Sequence, residues 1–244
     1  MALCPFIDYF NHSDDGVSLS LLLLPLPTPS FHLWGKKQPS NPPQCKVQLT
    51  PTGFTVTPTK PNYPPNTQLF VTYGCHSNDF LLVEYGFNLP LEKNKWDEVS
   101  ITPNLLPLLS EEHKRVLSRE GFLGKYAFDK EAFCFRTQAA VRLMLIEHPE
   151  LDANWRKVEV WKNFLAGHDD GERERYAVEE RLLGFLDGLE AEGRRALLGV
   201  GKLQRQSVRA VIEMRWTQIL GMVNDVRTKI VGENGEGRGR GYVR

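Results

Sequence analysis

Apolar residues in the second half of the chain recur at the spacing of an α-helix. Three long stretches, at 154–165, 172–198 and 207–231, place apolar side chains near a 3.6-residue period, which is the pattern of a helix with one buried face. The acidic residues after Ser110 predict a further helix start, because negative charge is favourable at the N-terminal end of a helix dipole. Asp129 is expected to cap another helix. This half of the chain therefore predicts a helical domain.

The first part of the chain predicts short strands. Twelve of the 16 prolines fall in the first 65 residues, and proline disfavours helices because it lacks a backbone donor. Runs at 45–49, 53–57 and 68–73 carry β-branched or aromatic residues between Pro, Gly or Asn, which is typical of strands. The residues Thr-Pro-Thr-Gly at 50–53 predict a turn that joins the first two strands into a hairpin. The Pro-rich stretch 25–44 has no periodicity and is expected to be an exposed, inserted loop.

The composition narrows the classes of function. The 244 residues include 41% apolar and 25% charged side chains and carry no net charge, so a general nucleic-acid binder is excluded and no specific nucleic-acid partner is expected. Four scattered cysteines form no C-x-x-C pair, so no metal site is predicted and the cysteines are expected to be buried, reduced thiols of an intracellular protein. The most apolar run is too short to span a bilayer, so no membrane partner is expected.

Two short segments carry the candidate chemistry. The first, DYFNHS at 8–13, offers an acid, an amide and an imidazole at the end of a strand or turn. The second, YGCHSNDFLLVEYGF at 73–87, ends a strand on a tyrosine, turns at Gly74 and begins a helix that Ser77 caps. The side chains of this helix expected to face inward are Leu81, Leu82 and Tyr85.

Together, the two segments resemble the C-terminal half of a SET-domain protein methyltransferase. In the branch that includes the Rubisco large-subunit lysine methyltransferase and the fungal ribosomal and cytoplasmic lysine methyltransferases, a D-x-x-N-H segment is followed by a hairpin. A strand ending in Tyr-Gly or Tyr-Asp comes next, and then S-N-x-x-L-L-x-x-Y-G-F. Here KVQLTPTGFTVTPTK stands at the hairpin and NTQLFVTYG at the strand.

This resemblance implies a fold and a division into domains. We expect an α+β chain with a partial SET β-fold, the β-clip, over residues 1–92. An all-α substrate-binding domain is expected over residues 103–231. The Gly- and Arg-rich tail at 232–244 is expected to be disordered.

The resemblance also implies an activity and the residues that perform it. The function would be S-adenosylmethionine-dependent methylation of a protein lysine, with histidine as a possible alternative acceptor. The matching positions assign Tyr73 as the catalytic residue, Asn11, His12 and Phe87 to the cofactor, and Asp8 and Tyr85 to the substrate. An aromatic channel suits this chemistry, because it disfavours charge on the lysine that must react as a neutral amine.

The sequence departs from the family pattern before the first motif. Relatives carry a long glycine-containing portion ahead of D-x-x-N-H, whereas this sequence has seven residues before Asp8. We expect a truncated form of an active enzyme; a degenerate pseudoenzyme and a piece completed by another chain are the other interpretations. The alternative function is a non-catalytic SET remnant that acts as a protein-binding module.

The expected partners follow from the same comparison. Histone-directed relatives often close the lysine channel with a zinc-binding cysteine cluster, and no such cluster follows Tyr85. The expected partner is therefore a non-histone protein substrate, with ribosomal and translation-related proteins as candidates. A cytoplasmic or nuclear monomer is expected.

Overall fold

The computed structural model describes residues 11–12, 45–51, 53–58, 60, 62, 64, 70–71 and 74–237. Short strands and seven α-helices make up these residues, which agrees with the predicted α+β class. The chain divides into two compact units. The β unit comprises Met1–Ser77 and Leu89–Trp96, and the helical unit comprises Asn78–Asn88 and Asp97–Arg244.

Four short strands lie in the β unit. Strands β2 (Cys45–Thr50) and β3 (Gly53–Pro58) form an antiparallel hairpin in which Thr50 lies opposite Gly53. The Thr50 hydroxyl donates a hydrogen bond of 3.0 Å to the Gly53 carbonyl, so the predicted hairpin and its turn are confirmed. Strand β1 (Asn11–His12) pairs in parallel with β4 (Phe70–Val71).

The helical unit is built on amphipathic helices joined by short turns. Its one strand pair within the described residues is β5 (Val99–Ser100) with β6 (Ala127–Phe128), which run antiparallel. Turns of 3-10 helix lie at Leu106–Leu108, Asp152–Asn154 and Glu172–Glu174. The α-helices are α1 (Asn78–Tyr85), α2 (Thr102–Leu105), α3 (Glu111–Arg119), α4 (Phe135–Met144), α5 (Trp155–Leu165), α6 (Arg175–Val200) and α7 (Gln206–Gly237).

Helices α6 and α7 bury the apolar faces that their periodicity predicts. Leu186 of α6 and Val223 of α7 are almost completely buried. At Gly193 the two helices come so close that a β-carbon there would lie 2.9 Å from Leu220 Cδ2. Ion pairs also connect the same two helices. Arg227 of α7 donates hydrogen bonds to Asp187 of α6 at 2.7 Å and to Glu190 of α6 at 2.6 Å.

The helix ends show where local signals sufficed and where they failed. Ser110 caps α3, since its hydroxyl accepts a hydrogen bond from the backbone N–H of His113. The prediction that Asp129 caps a helix is wrong. Its carboxylate instead accepts hydrogen bonds from the backbone N–H groups of Glu131 and Ala132, while α4 begins at Phe135 after a β-bridge between residues 128 and 133.

The last helix is longer than its sequence pattern predicts. It ends at Gly237, whereas the predicted end is residue 231 and the predicted disordered tail begins at 232. Adding residues to an existing helix costs far less free energy than nucleating one, so a helix can run beyond its apolar stripe. Residues 238–244 of the tail, like the Pro-rich stretch 25–44, lie outside the described residues.

The cysteines of the described residues are reduced, and two of them differ in burial. Cys45, Cys75 and Cys134 are free thiols. Cys45 is buried as predicted, but the prediction is wrong for Cys75, which is exposed in the turn before α1.

Each helix that the structure describes is either too short or insufficiently apolar to cross a membrane.

Candidate active site

The first motif segment meets the strand that precedes Tyr73. In the parallel pair of β1 and β4, Asn11 lies opposite Phe70 and His12 lies opposite Val71. Since β4 ends two residues before Tyr73 in the sequence, the backbone of the Asn-His pair runs beside the strand that leads to this tyrosine. Tyr73 and Asp8 themselves lie outside the described residues.

The turn after this strand depends on a glycine, as the sequence predicts. Gly74 has φ of +119°, a conformation that side-chain-bearing residues rarely adopt. A β-carbon at this position would also lie 2.7 Å from Nε2 of His76. The carbonyl of His76 accepts a hydrogen bond of 3.1 Å from the Asn94 side chain, within the same unit. Gly74 is therefore required both by the backbone and by the close approach of the imidazole.

Helix α1 and the residues after it carry an aromatic group. The rings of Phe80 and Tyr85 have centroids 6.3 Å apart, and the same distance separates the rings of Tyr85 and Phe87. Leu81 faces inward as predicted, with 1% of its surface exposed, but the prediction of an inward Tyr85 is wrong because this side chain is 49% exposed. The structure thus brings two predicted site residues, Tyr85 and Phe87, together on an accessible surface of the helical unit.

The start of α1 is fixed by a buried polar network. Asn78 is fully buried, and its backbone N–H donates to Asp97 Oδ1 at 2.8 Å. Its side-chain amide donates to Asp97 Oδ2 at 3.3 Å and to Gln218 Oε1 at 3.0 Å. Arg215 of α7 completes the network, with bonds of 2.7 Å to both Asp97 and Asp79. Asn78, the first residue of α1, thereby anchors the helix within the helical unit.

Burial and ion pairing act in opposite directions on this network. Burial raises the pKa of Asp97, while the Arg215 guanidinium and the backbone N–H of Asn78 oppose that rise. Burial also disfavours charge on Arg215, but hydrogen bonds and attraction from Asp79 and Asp97 raise its pKa above the usual value. The guanidinium therefore stays charged, and its two carboxylate partners compensate for its burial.

The segment that follows α1 is attached to α7 by a second bond. The Asn88 side chain donates a hydrogen bond of 2.8 Å to the backbone carbonyl of Val211. The residues Val211, Arg215 and Gln218 are spaced by four and then three positions, so they share one face of α7. One face of α7 thus contacts both ends of the segment Asn78–Asn88.

The sequence did not predict the buried polar residues that hold the start of α1. Asp97, Arg215 and Gln218 were not predicted as site residues, although all three are buried. A signal was present at Arg215, which stands three residues after Ile212 and four before Ile219. A charged residue at an inward position of an apolar helix face indicates a buried partner, but the pattern alone does not identify that partner.

Comparisons with known proteins agree with the resemblance. No protein-family model matches the chain. Ribosomal lysine N-methyltransferase set11 of Schizosaccharomyces pombe is 26% identical over 195 residues, which are 79% of this chain and 42% of that protein. Ribosomal lysine N-methyltransferase 2 of Saccharomyces cerevisiae is 35% identical over 79 residues, which are 31% of this chain and 16% of that protein. The chain therefore matches less than half the length of either relative, and the predicted similarity to lysine methyltransferases is confirmed.

Proposed function

We propose that the chain is part of a SET-domain protein-lysine N-methyltransferase of the Rubisco large-subunit methyltransferase-like branch. The observation that carries this proposal is the parallel pairing of Asn11–His12 with β4, which brings the first motif beside the strand leading to Tyr73. The names of the two relatives support the same class of enzyme.

The proposed substrate is a lysine side chain of a ribosomal protein. Both relatives are named for ribosomal lysine methylation, and this agrees with the non-histone substrate expected from the sequence. The proposed methyl donor is S-adenosylmethionine, which when bound supplies an electrophilic methyl group on a positively charged sulfur. The Tyr85 and Phe87 rings fit such chemistry, because aromatic faces attract cations and also pack against apolar lysine stems.

Each proposed site residue has a task that its chemistry can perform. The Tyr73 hydroxyl would orient the incoming amine and accept weak C–H···O contacts. Asn11, His12 and Phe87 would bind the cofactor. Asp8 and Tyr85 would bind the substrate lysine.

The aromatic side chains would also prepare the lysine for reaction. The ordinary pKa of lysine is about 10.4, and apolar, water-poor surroundings lower it by disfavouring the ammonium form. Tyr85 and Phe87 would contribute apolar aromatic surface to such surroundings when a substrate covers them. The protein would therefore act mainly by alignment and by exclusion of water.

A methyl-transfer assay on the full-length protein tests the proposal. We expect transfer of labelled methyl groups from S-adenosylmethionine to yeast ribosomal protein, with at least a hundredfold loss on Tyr73→Phe and no loss of folding. Tyr176→Phe is the matched control, because Tyr176 is a 60% exposed tyrosine of α6. Retained turnover in Tyr73→Phe would remove Tyr73 from the catalytic role. Absence of both methyl transfer and calorimetric cofactor binding in the unaltered chain would favour the non-catalytic binding module.

A further inference from the structure

We infer that α7 sets the position of the aromatic rings near the end of α1, and that Asn88 and Arg215 are positioning residues for them. The segment Asn78–Asn88, here called the aromatic segment, carries Tyr85 and Phe87. The link to catalysis rests on the proposed function, since it is there that these rings line the substrate and cofactor site. The mechanical part of the inference stands on the hydrogen bonds of the helical unit alone.

The first end of the aromatic segment is held by charge. Arg215 is 3% exposed and bonds to Asp79 within the segment and to Asp97 outside it, each at 2.7 Å. Asp97 in turn accepts the backbone N–H of Asn78 at 2.8 Å. Hydrogen bonds between charged groups are stronger than neutral ones, and a buried guanidinium that loses a carboxylate partner is costly. Arg215 therefore resists any shift of the start of α1.

A neutral hydrogen bond attaches the second end of the aromatic segment to α7. Asn88 donates to the Val211 carbonyl at 2.8 Å, and this residue follows Phe87 directly. Because the first end meets Arg215 and Gln218 and the second end meets Val211, the segment and α7 run in opposite directions. Seven residues of helix from 211 to 218 span about 10 Å, close to the ~12 Å length of the eight-residue helix α1.

The attachment at both ends has a consequence for the rings. Tyr85 is half-exposed, so core packing alone does not determine where its ring points. The buried Leu81 holds the middle of α1, and the Asn88 bond lies within three residues of Tyr85 and next to Phe87. Methyl transfer depends on close alignment of the reacting groups, and small displacements lower the rate strongly. Asn88 should therefore act on the rings without touching any substrate.

The test measures ring position directly in the full chain. Tyrosines are replaced biosynthetically by 3-fluorotyrosine, and the Tyr85 resonance is assigned by its loss in Tyr85→Phe. In Asn88→Ala we expect the Tyr85 fluorine signal to shift or broaden. Hydrogen exchange of the amides at 86–88 should become about fivefold faster, the factor expected for loss of one net hydrogen bond. Asn88→Asp, which keeps the shape but removes the donor, should give the same result.

Two further variants separate positioning from a general loss of stability. Arg215→Lys keeps a positive charge but has a single nitrogen, so exchange should become faster at the start of α1 and less so at 86–88. Asn163→Ala, an exposed asparagine of α5, should change neither signal. An unchanged Tyr85 fluorine signal in both Asn88 variants would overturn the inference.

The catalytic consequence has its own readout. If the chain methylates protein, the Asn88 variants should lower kcat at least tenfold while KM for the protein substrate changes less than threefold. An unchanged kcat alongside a shifted fluorine signal would overturn the catalytic part. If the full-length protein transfers no methyl group, the proposed function fails, while the fluorine and exchange measurements still decide whether α7 positions the rings.

Discussion

Replacing Asp97 by asparagine removes a buried charge and leaves the size of the side chain almost unchanged. In the native chain, the two carboxylate oxygens accept hydrogen bonds from the Asn78 backbone, the Asn78 amide and the Arg215 guanidinium. An asparagine can keep the backbone bond with its oxygen. Its NH2 group then faces the donors of Asn78 and Arg215, and donors facing donors form no hydrogen bond.

The expected cost follows from what Arg215 retains. Removing one member of a buried ion pair typically costs about 3–5 kcal/mol. Arg215 keeps its 2.7 Å bond to Asp79, so the cost should lie near the lower end, at about 3 kcal/mol. For a unit of this size each kcal/mol lowers Tm by about 2–4 °C, which gives a fall of about 6–12 °C.

Urea and thermal unfolding followed by circular dichroism measure this cost. Asp225→Asn is the matched control, because Asp225 lies on the exposed side of α7, and surface substitutions typically change stability by less than about 0.5 kcal/mol. A loss below about 1 kcal/mol in Asp97→Asn would refute the reasoning. It would mean that the charge of Asp97 contributes little to holding α1 and α7 together.

Two further predictions concern the pairing of α6 and α7. Hydrogen bonds from Arg194 and Arg227 lower the pKa of Glu190. The stabilisation from ionised Glu190 is therefore fully present above the ordinary glutamate pKa of about 4.3, and it is lost as the pH falls through the lower pKa of the folded state. Glu190→Gln should lower the urea midpoint at pH 7, and the difference from the native chain should disappear at acid pH. Leu186 of α6 is fully buried, so Leu186→Ala should cost about 3–4 kcal/mol, measured by urea unfolding, because it leaves a cavity.

Each of these two changes has a control on the same helix. Glu192→Gln removes an exposed glutamate of α6 and should show no change in midpoint between the two pH values beyond that of the native chain. Leu198→Ala truncates a leucine that is 79% exposed and should cost well under about 1 kcal/mol. Equal losses for Leu186→Ala and Leu198→Ala would contradict the assignment of Leu186 to the core. An effect of Glu190→Gln that persists at low pH would contradict the ionic origin of its contribution.

The helices and the hairpin were predictable because their signals lie within a few residues. A 3.6-residue apolar period defines α5, α6 and α7 to within a few positions at their starts. The turn at 50–53 needs only four residues, and the register of β2 with β3 follows from it. The prediction for Asp129 was wrong because an aspartate side chain can accept backbone hydrogen bonds in a turn as well as at a helix start. The local sequence does not distinguish these two cases.

The sequence motifs proposed residues for the candidate site but did not indicate the polar network beside it. The resemblance of the motifs to the family implies six site residues, which are Asp8, Asn11, His12, Tyr73, Tyr85 and Phe87. The assignment of α1 to the helical unit was not foreseen, because the sequence places it directly after the strands. The predicted boundary between residues 92 and 103 and the roles of these six residues remain predictions.

Local patterns along the chain were enough to define the helices and the hairpin and their order. The pairing of β1 with β4, and the contact of Asp97 with Arg215 118 residues further along the chain, depend on how these elements pack in the folded protein. The type of a side chain indicates only whether it generally prefers to be buried. Arg215 is a charged residue that is buried nevertheless, because a carboxylate distant in the sequence compensates its charge. That partner is chosen by the packing of whole helices, a property that no single stretch of sequence contains.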